Sequence, residues 1–464
     1  MTNVLLINPP WGKRKGSIWY KVSSCLPSLG LGYIAATLEL NGILVEILDC
    51  QAISYPQDEI LSKIEGFHPE YIGFTATTVL IQNVFEIAKS IKLHWPETKI
   101  ILGGVHPTIA TEEVLTKPYV DIVVRGEGEN TFLDIVKNKP LKDVLGISYK
   151  LNGSIKHNLD RPLIEDIDSL PFPAYHLMPM DRYHTALGSA KRTPAMSIFA
   201  TRGCPGRCTF CYSGAFGKKI RKRSPENIIG EIELLMSKHK IREISFYDDT
   251  FSAYKKNVLR FCELIREKNI DLTWTCMSRV DYVTEDVLKE MKASGCHQIC
   301  YGVETVDENI LKNIRKRLSL EKVKRAVENT KKAKMDVRLA FMLGNPGETI
   351  ESMEKSIEYA INLDPDLVQF NITTPYPGTE MFLWAKEHGY LKTEDWSKYD
   401  YYTCVMELPT VSSADIEKYY KIAYRRFFLR PTYLMKRLLK LRNFYDIKIA
   451  YKSLVSVFLT AIGR

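Results

Sequence analysis

Three cysteines of one short segment, Cys204, Cys208 and Cys211, stand at the spacing C-x3-C-x2-C within TRGCPGRCTFCYSG (201–214). Thiolates are soft ligands that select iron–sulfur clusters or zinc. Three of them can ligate three irons of a four-iron cluster and leave the fourth iron open. A structural zinc site usually takes four ligands in two pairs. No second pair lies near, and His239 and His297 are isolated. The ligand count therefore favours a cluster over zinc. Five further cysteines, Cys25, Cys50, Cys262, Cys276 and Cys404, are scattered and read as small buried apolar residues. Clustered cysteines of this kind fit a reducing cytoplasm, where metal or redox chemistry replaces disulfides.

The triad needs a scaffold, and the sequence around it supplies one. The apolar run MSIFAT ends at the triad and opens an α/β series. EISFYDD, LTWTCMS, QICYGVE, VRLAFMLG and LVQFNIT continue it as strands, with helical segments near 225–238, 255–268, 284–293, 319–333 and 349–362. Six strand–helix units are too few for a closed eight-fold barrel, so an open partial barrel is expected over 196–390. The triad then sits at a strand's C-terminal end, where barrels keep their chemistry.

Residues 1–140 alternate strand and helix signals as well. VLLIN (4–8), VEILD (45–49), YIGFTAT (71–77), KIILGG (99–104) and DIVVRGEGE (121–129) are separated by single helices. That pattern predicts a doubly wound, mainly parallel sheet. No G-x-G-x-x-G follows the first strand, which disfavours a dinucleotide. Residues 141–195 read as a connector, with a hairpin turning at Asn152-Gly153 and then the proline-rich IDSLPFPAYHLMP. Residues 391–464 read as helical.

The chain has 464 residues and a formal charge of +9. From Lys418 onward there are twelve Lys or Arg and one acid, Asp446, so the tail carries +11 and the rest −2. The basic character belongs to the tail, and no nucleic-acid partner is expected from it. MTNVLLINPPW lacks a basic and apolar leader, and no apolar run reaches the ~20 residues of a spanning helix. The tail, KYYKIAYRRFFLRPTYLMKRLLKLR and then KIAYKSLVSVFLTAIG, has two readings of equal weight: an amphipathic contact with an anionic membrane surface through 418–464, or a helical cap on the barrel. A cytoplasmic protein, peripheral on the membrane's inner face in the first reading, is expected.

The triad, with Phe210 before its third cysteine, resembles the signature of the radical S-adenosylmethionine superfamily. The resemblance covers about residues 196–390. It implies a 4Fe-4S cluster on Cys204, Cys208 and Cys211, S-adenosylmethionine chelated at the open iron, and a 5′-deoxyadenosyl radical that abstracts hydrogen. Residue by residue, it implies that Phe210 lines the S-adenosylmethionine site, that Tyr247 and Asp248, in the strand-end segment Tyr247-Asp248-Asp249-Thr250-Phe251, lie by the methionine amino group, and that Ser278 and Arg279 lie by its carboxylate. Glu304 would meet the ribose, and Gly344 and Pro346 in MLGNPGET the adenine. It also implies oxygen sensitivity and a low-potential electron donor such as flavodoxin or ferredoxin.

The first domain resembles the cobalamin-binding domain fused to such enzymes, over about residues 1–180. The matching pieces are NPP, PSLGLGYIAATLELNG, GGVHPT, GEGENT and DSLPFPAYHL. They imply cobalamin contacts from Asn8, Pro9, Pro10, Thr75, Thr77, Gly103, Gly104, His106, Gly126, Glu127, Glu129 and Thr131. The Asp-x-His-x-x-Gly segment of other cobalamin modules is absent, which implies cobalt without a histidine below it. A domain that has lost its cofactor and only shapes the active site is the alternative.

The expected architecture is therefore α/β: a Rossmann-like cobalamin-binding domain, a partial (β/α)6 radical barrel and a helical C-terminal region. Methyl transfer to an unactivated carbon of a hydrophobic small molecule (a lipid, isoprenoid or tetrapyrrole) is the first expectation. Radical oxidation or cyclisation is the second. An RNA methylthiotransferase ranks below both, because its additional cysteine cluster has no counterpart in Cys25 and Cys50. A non-enzymatic carrier would not need the ordered cosubstrate motifs.

Overall fold

The computed structural model describes residues 2–11, 24–53, 55, 57–186, 189–212, 216–439 and 455. Within them two sheets follow one another along the chain. The first runs β2-β1-β3-β4-β5-β6-β7, with β1 Asn3–Asn8, β2 Leu44–Asp49, β3 Tyr71–Thr75, β4 Lys99–Gly103, β5 Ile122–Val124, β6 Ile147–Leu151 and β7 Ser154–His157. The first five strands are parallel. Residues of β1, β3, β4 and β5 are buried almost without interruption, as expected of strands covered by helices on both faces.

The hairpin β6–β7 pairs antiparallel to β5. Its turn is Asn152 and Gly153, both at positive φ (50° and 75°), the conformation a two-residue hairpin turn requires. The hairpin placed in the connector by sequence is thus the antiparallel edge of the first sheet.

The second sheet is wholly parallel and runs β15-β14-β13-β12-β11-β8. Its strands are β8 Ala195–Ile198, β11 Glu243–Phe246, β12 Thr273–Ser278, β13 Cys296–Glu304, β14 Asp336–Leu343 and β15 Leu367–Ile372. Strand order follows chain order, and six strands leave the barrel open, as the unit count predicts. β12, β14 and β15 alternate strictly between half-buried and buried residues. One face therefore packs against the surrounding helices and the other lines an accessible lumen. Helix starts are fixed by side chains: Ser224 caps Pro225–His239, which has proline in its first turn, and Thr349 with Ser352 forms a capping box on Ile350–Leu363.

The helix Ser413–Phe428 closes the far side of the barrel. Ile416, Tyr420, Ala423, Tyr424 and Phe427 are buried in the barrel's own core cluster. Pro431 opens the next helix, Pro431–Leu439, at the first-turn position where a proline is tolerated. Basic residues here are partly consumed by the barrel: Arg430 and Lys436 both reach Asp364, and Arg426 pairs with Glu358. Residues 413–428 are thus a cap. KIAYKSLVSVFLTAIG lies, apart from Val455, outside the described residues. Among the described residues, no helix is long and apolar enough to cross a membrane.

Candidate active site

The cysteine segment is carried on a two-stranded stalk. Thr201–Arg202 (β9) pairs antiparallel with Arg221–Lys222 (β10), so the chain leaves β8, loops out and returns. Gly203 turns the loop at φ +95°, and a Cβ there would stand 2.4 Å from the Lys219 carbonyl oxygen. Three anchors hold the loop: Cys204 N donates to Gly217 O (3.2 Å), Thr209 N to Ile314 O (3.1 Å) and Met381 N to Thr209 O (2.9 Å). Cys204 and Cys208 are half-buried and Cys211 is exposed.

Does the donor set fit a cluster? Gly206 lies between the first two thiols; a Cβ on it would be 3.3 Å from Cys204 Sγ and 4.0 Å from Cys208 Sγ, so glycine keeps that space clear. Among the described residues no three His, Cys, Asp or Glu side chains close around a single metal ion. Three thiols on one loop with no second pair of ligands match the donor count of a cluster with one open iron, where structural zinc takes four. Burial pushes the Cys208 thiol up; at Cys211, exposed as a residue, desolvation of the sulfur and the Asp249 charge push the thiol up to about 12, so binding must displace protons from both.

The strand ends around this loop hold the expected residues in unequal ways. Glu304 ends β13 at φ +69° and accepts from Lys316 Nζ at 2.8 Å, with both side chains about nine-tenths buried (10% and 11% exposed). Burial alone would lower the Lys316 ammonium, but Glu304 beside it raises it, and Cys208 adds to the rise. Gly302 makes room for the pair: a Cβ there would meet Glu304 Oε1 at 2.5 Å. Arg279 holds Asp281 (Nε to Oδ1, 3.0 Å) and its charge reaches Cys208. Ser278 is buried, bonded to Ser252 Oγ and to Arg279 O. Phe210 packs half-buried on the barrel core, and Tyr247 is 42% exposed and bonded to Ser24.

Asp248 faces away from the loop's open side. It is 1% exposed, and its carboxylate accepts from Ala200 N, Thr201 N and Thr201 Oγ1, below the stalk. Its role in the structure is to fix the β8–β9 turn, with burial pushing the carboxyl up to about 6 against those three donors. The exposed neighbour Asp249 is the acid whose charge acts on Cys211. Gly344 turns at φ +88° with its open side against Ile416 of the capping helix, and Pro346 O accepts from Asn313 Nδ2. Lys316 is the site residue that no motif marks. Of the two adjacent acids in Tyr247-Asp248-Asp249-Thr250-Phe251, Asp249 is the one whose charge acts on the cysteine loop.

In the first domain, the loops after β1, β3, β4 and β5 share the sheet's C-terminal edge. Asn8 Nδ2 donates to Asp49 Oδ1 (2.9 Å), and Asp49 also accepts from Tyr183 OH (2.8 Å). Pro9 follows the strand and Pro10 O accepts from Asn83 Nδ2. Thr75 is half-buried and Thr77 exposed. Gly103 leads into Gly104, which turns at φ +96° so close to β3 that a Cβ would be 2.9 Å from Ala76 N. Gly126, at φ +73°, has nothing within 4 Å of where its Cβ would stand. That open backbone, with exposed Thr77, lets a ligand approach the main chain at this edge.

Three expected contacts are committed elsewhere. Glu127 accepts from both Arg202 (2.7 Å) and Arg221 (2.8 Å), and Glu129 from Arg202 (2.7 Å), all four side chains at most 5% exposed. Thr131 is fully buried and accepts from Arg161 Nε (2.7 Å). His106 is also fully buried; Nδ1 lies 3.3 Å from Thr78 Oγ1, Nε2 has no partner, and Trp396 stands edge-on to the ring. Desolvation lowers its pKa to about 4, so the imidazole is neutral.

These contacts also orient the two sheets. Arg202 and Arg221 belong to the stalk, while Glu127 and Glu129 follow β5. A Cβ on Gly378, after β15, would lie 2.9 Å from Ile109 of the first domain and 3.4 Å from Tyr212 of the cysteine loop. The C-terminal edges of both sheets therefore meet around the cysteine loop.

Known proteins agree with this layout. The model of the radical SAM superfamily matches residues 198–360, and that of the B12 binding domain matches residues 18–136. The uncharacterized methyltransferase PH0819 of Pyrococcus horikoshii is 37% identical over 464 residues, covering 99% of both chains. The anaerobic magnesium-protoporphyrin IX monomethyl ester cyclase of Rubrivivax gelatinosus is 28% identical over 88% of this chain and 75% of its own. The solved structure of the cobalamin-dependent S-adenosylmethionine radical enzyme OxsB, with aqua-cobalamin and S-adenosylmethionine bound, shares the fold at a TM-score of 0.75 and 17% identity, over 99% of this chain and 72% of that one. The chain belongs to the radical S-adenosylmethionine superfamily, in the branch that carries a B12-binding domain, and its cofactors are accordingly a 4Fe-4S cluster, S-adenosylmethionine and cobalamin.

Proposed function

We propose that the protein is a methyltransferase that moves a methyl group from S-adenosylmethionine to an unactivated carbon of a small molecule with a hydrophobic framework. The observation that carries this reading is the meeting of the two C-terminal sheet edges around the cysteine loop. The similarity to PH0819 over the whole chain supports methyl transfer in particular.

When bound, the cluster and cobalamin supply radical generation and methyl delivery. The chain's own residues do the rest. Cys204, Cys208 and Cys211 would hold the cluster, with Gly206 keeping the space between the first two thiols free. Glu304 would bind the ribose hydroxyls, held in place by Lys316. Arg279 would attract the methionine carboxylate, and Asp249, rather than Asp248, would face the amino group. Gly103, Gly104, Gly126, Thr75 and Thr77 would offer backbone and small side chains to the corrin, with Asn8, Pro9 and Pro10 beside them. His106 would stay a neutral buried residue behind the cofactor. The packed stalk and its buried arginines exclude water from one side of the reaction space.

The electron would come from a low-potential flavodoxin or ferredoxin. Exposed Met435, Leu438 and Leu439 leave a peripheral membrane contact as a proposal for the tail. Similarity to the Rubrivivax gelatinosus cyclase favours radical cyclisation as a second reading. Anaerobic turnover with S-adenosylmethionine labelled in its methyl group tests the choice: label in a product other than methionine supports methyl transfer, and consumption of a substrate with the label confined to methionine supports oxidation or cyclisation.

A further inference from the structure

The lumen of the barrel bears on the substrate. Its lining residues are the half-buried members of the alternating strands: Arg338, Ala340 and Met342 on β14, and Gln369 and Asn371 on β15. On β13, half-buried Cys300 is in register with Met277 on one side and Arg338 on the other. The lower end is closed. Glu243 accepts from Lys191 N, Arg192 N and His297 Nε2, so a ligand enters from the mouth where the cysteine loop stands.

Cations at and above the mouth are matched by acids: Lys316 by Glu304, Arg279 by Asp281, Arg202 by Glu127 and Glu129. Arg338 is not. Among the described residues it forms no ion pair, and its side-chain hydrogen bond goes to the neutral Gln369 Oε1. Gln369 is opposite Ala340, two residues nearer the mouth, so the guanidinium points toward the mouth and away from Asp336 at the base of β14. Its charge acts on Tyr247, Cys300 and Tyr424, all neutral. Arg338 is in register with Cys300, four residues before Glu304 on β13, and so stands deeper in the lumen than the Glu304–Lys316 pair.

The amides extend this donor character. Arginine can only donate, so Gln369 must turn its oxygen toward it. Gln369 Nε2 then donates to Asn371 Oδ1 at 3.0 Å, which leaves the Asn371 amide nitrogen facing onward with no protein acceptor among the described residues. A half-buried guanidinium and an oriented amide N–H form a site rich in donors and poor in acceptors. An oxyanion satisfies it, and a neutral hydrocarbon does not.

We propose that the substrate carries an anionic oxygen group, a carboxylate or a phosphoryl group, that docks between Arg338 and Asn371 in the barrel lumen, with Met277, Ala340 and Met342 against its apolar part. This rests on the reading of the mouth as the reaction site, and it narrows the hydrophobic substrate to an amphiphilic acid.

The test uses the anaerobically reconstituted holoenzyme with S-adenosylmethionine present. Binding of octanoate, octyl phosphate and octanol is measured by calorimetry for the wild type, Arg338→Gln and Arg338→Lys. At least one of the two anions should bind ten or more times tighter than octanol. Arg338→Gln should erase that preference and Arg338→Lys should keep part of it, with iron content and S-adenosylmethionine affinity unchanged in both. The tighter anion identifies the group. No anion preference in the wild type, or one that survives Arg338→Gln, overturns the proposal. So does a tenfold loss of S-adenosylmethionine affinity in Arg338→Gln, which would assign the arginine to the cosubstrate. The readout needs no turnover, so failure of methyl transfer and failure of anion docking are separate results.

Discussion

Arg202, two residues before the first cysteine of the loop, donates to Glu127 of the N-terminal domain at 2.7 Å, and the two side chains are only 5% and 3% exposed. This contact joins the stalk of one domain to the edge of the other across 75 positions of sequence. Removing one partner of a buried pair strands the other charge, at a cost of about 3–5 kcal/mol. Arg202→Ala and Glu127→Ala should each lower the thermal midpoint by several degrees, and the double variant should lose much less than the sum. Additive losses in that cycle would show that the pair does not couple the domains.

The same network has a pH signature. Burial would raise the Glu127 carboxyl, but hydrogen bonds from Arg221 and Arg202 hold it below the usual carboxylate range. A carboxyl lowered on folding stabilises at neutral pH and loses that contribution as pH falls below its unfolded value of about 4.5. His106 acts earlier. Its pKa falls from 6.5 to about 4 on burial, so the unfolded chain takes up a proton first and stability declines as pH drops from 6.5 toward 4, by roughly 1.4 kcal/mol per pH unit at most. Denaturant midpoints between pH 7 and pH 4.5 should fall less steeply for His106→Leu than for the wild type; parallel curves would contradict the buried neutral imidazole.

Cys204→Ala, Cys208→Ala and Cys211→Ala should each reduce iron to a small fraction of the wild-type content and abolish 5′-deoxyadenosine release. Cys262→Ala, at a fully buried thiol of the barrel core, should keep its iron and lose only about 1–2 kcal/mol of stability. Iron lost equally from all four variants would mean that the triad is not the ligand set.

Gly302→Ala tests the cosubstrate pocket without changing a charge. The new methyl would stand 2.5 Å from Glu304 Oε1 and displace the Glu304–Lys316 pair. S-adenosylmethionine affinity should fall about tenfold, near 1.4 kcal/mol, with iron content retained. Wild-type affinity in both Gly302→Ala and Glu304→Gln would remove Glu304 from the binding site.

The features legible in the sequence are local ones. Cysteine spacing marked the loop, period and punctuation marked two parallel sheets, and Asn152-Gly153 marked a hairpin turn. Less visible was everything set by direction or by distant pairing. Asp248 and Asp249 are adjacent and chemically identical, yet one fixes the turn above β8 and the other faces Cys211. Glu127 and Glu129 read as ligand contacts because their loop lies at a sheet edge, but Arg202 and Arg221 arrive there only on folding. The aromatic basic tail read equally as membrane contact or cap; the apolar face of Ser413–Phe428 is spent on the barrel.

A chain that brings a radical cluster and cobalamin to a single reaction space must load both. Anaerobic reconstitution with iron, sulfide and cobalamin, followed by desalting and metal analysis, measures this. About four irons and one cobalt per chain are expected, the iron falling away in Cys204→Ala while the cobalt stays. Four irons with no retained cobalt would contradict this and leave a radical enzyme whose first domain only shapes the active site.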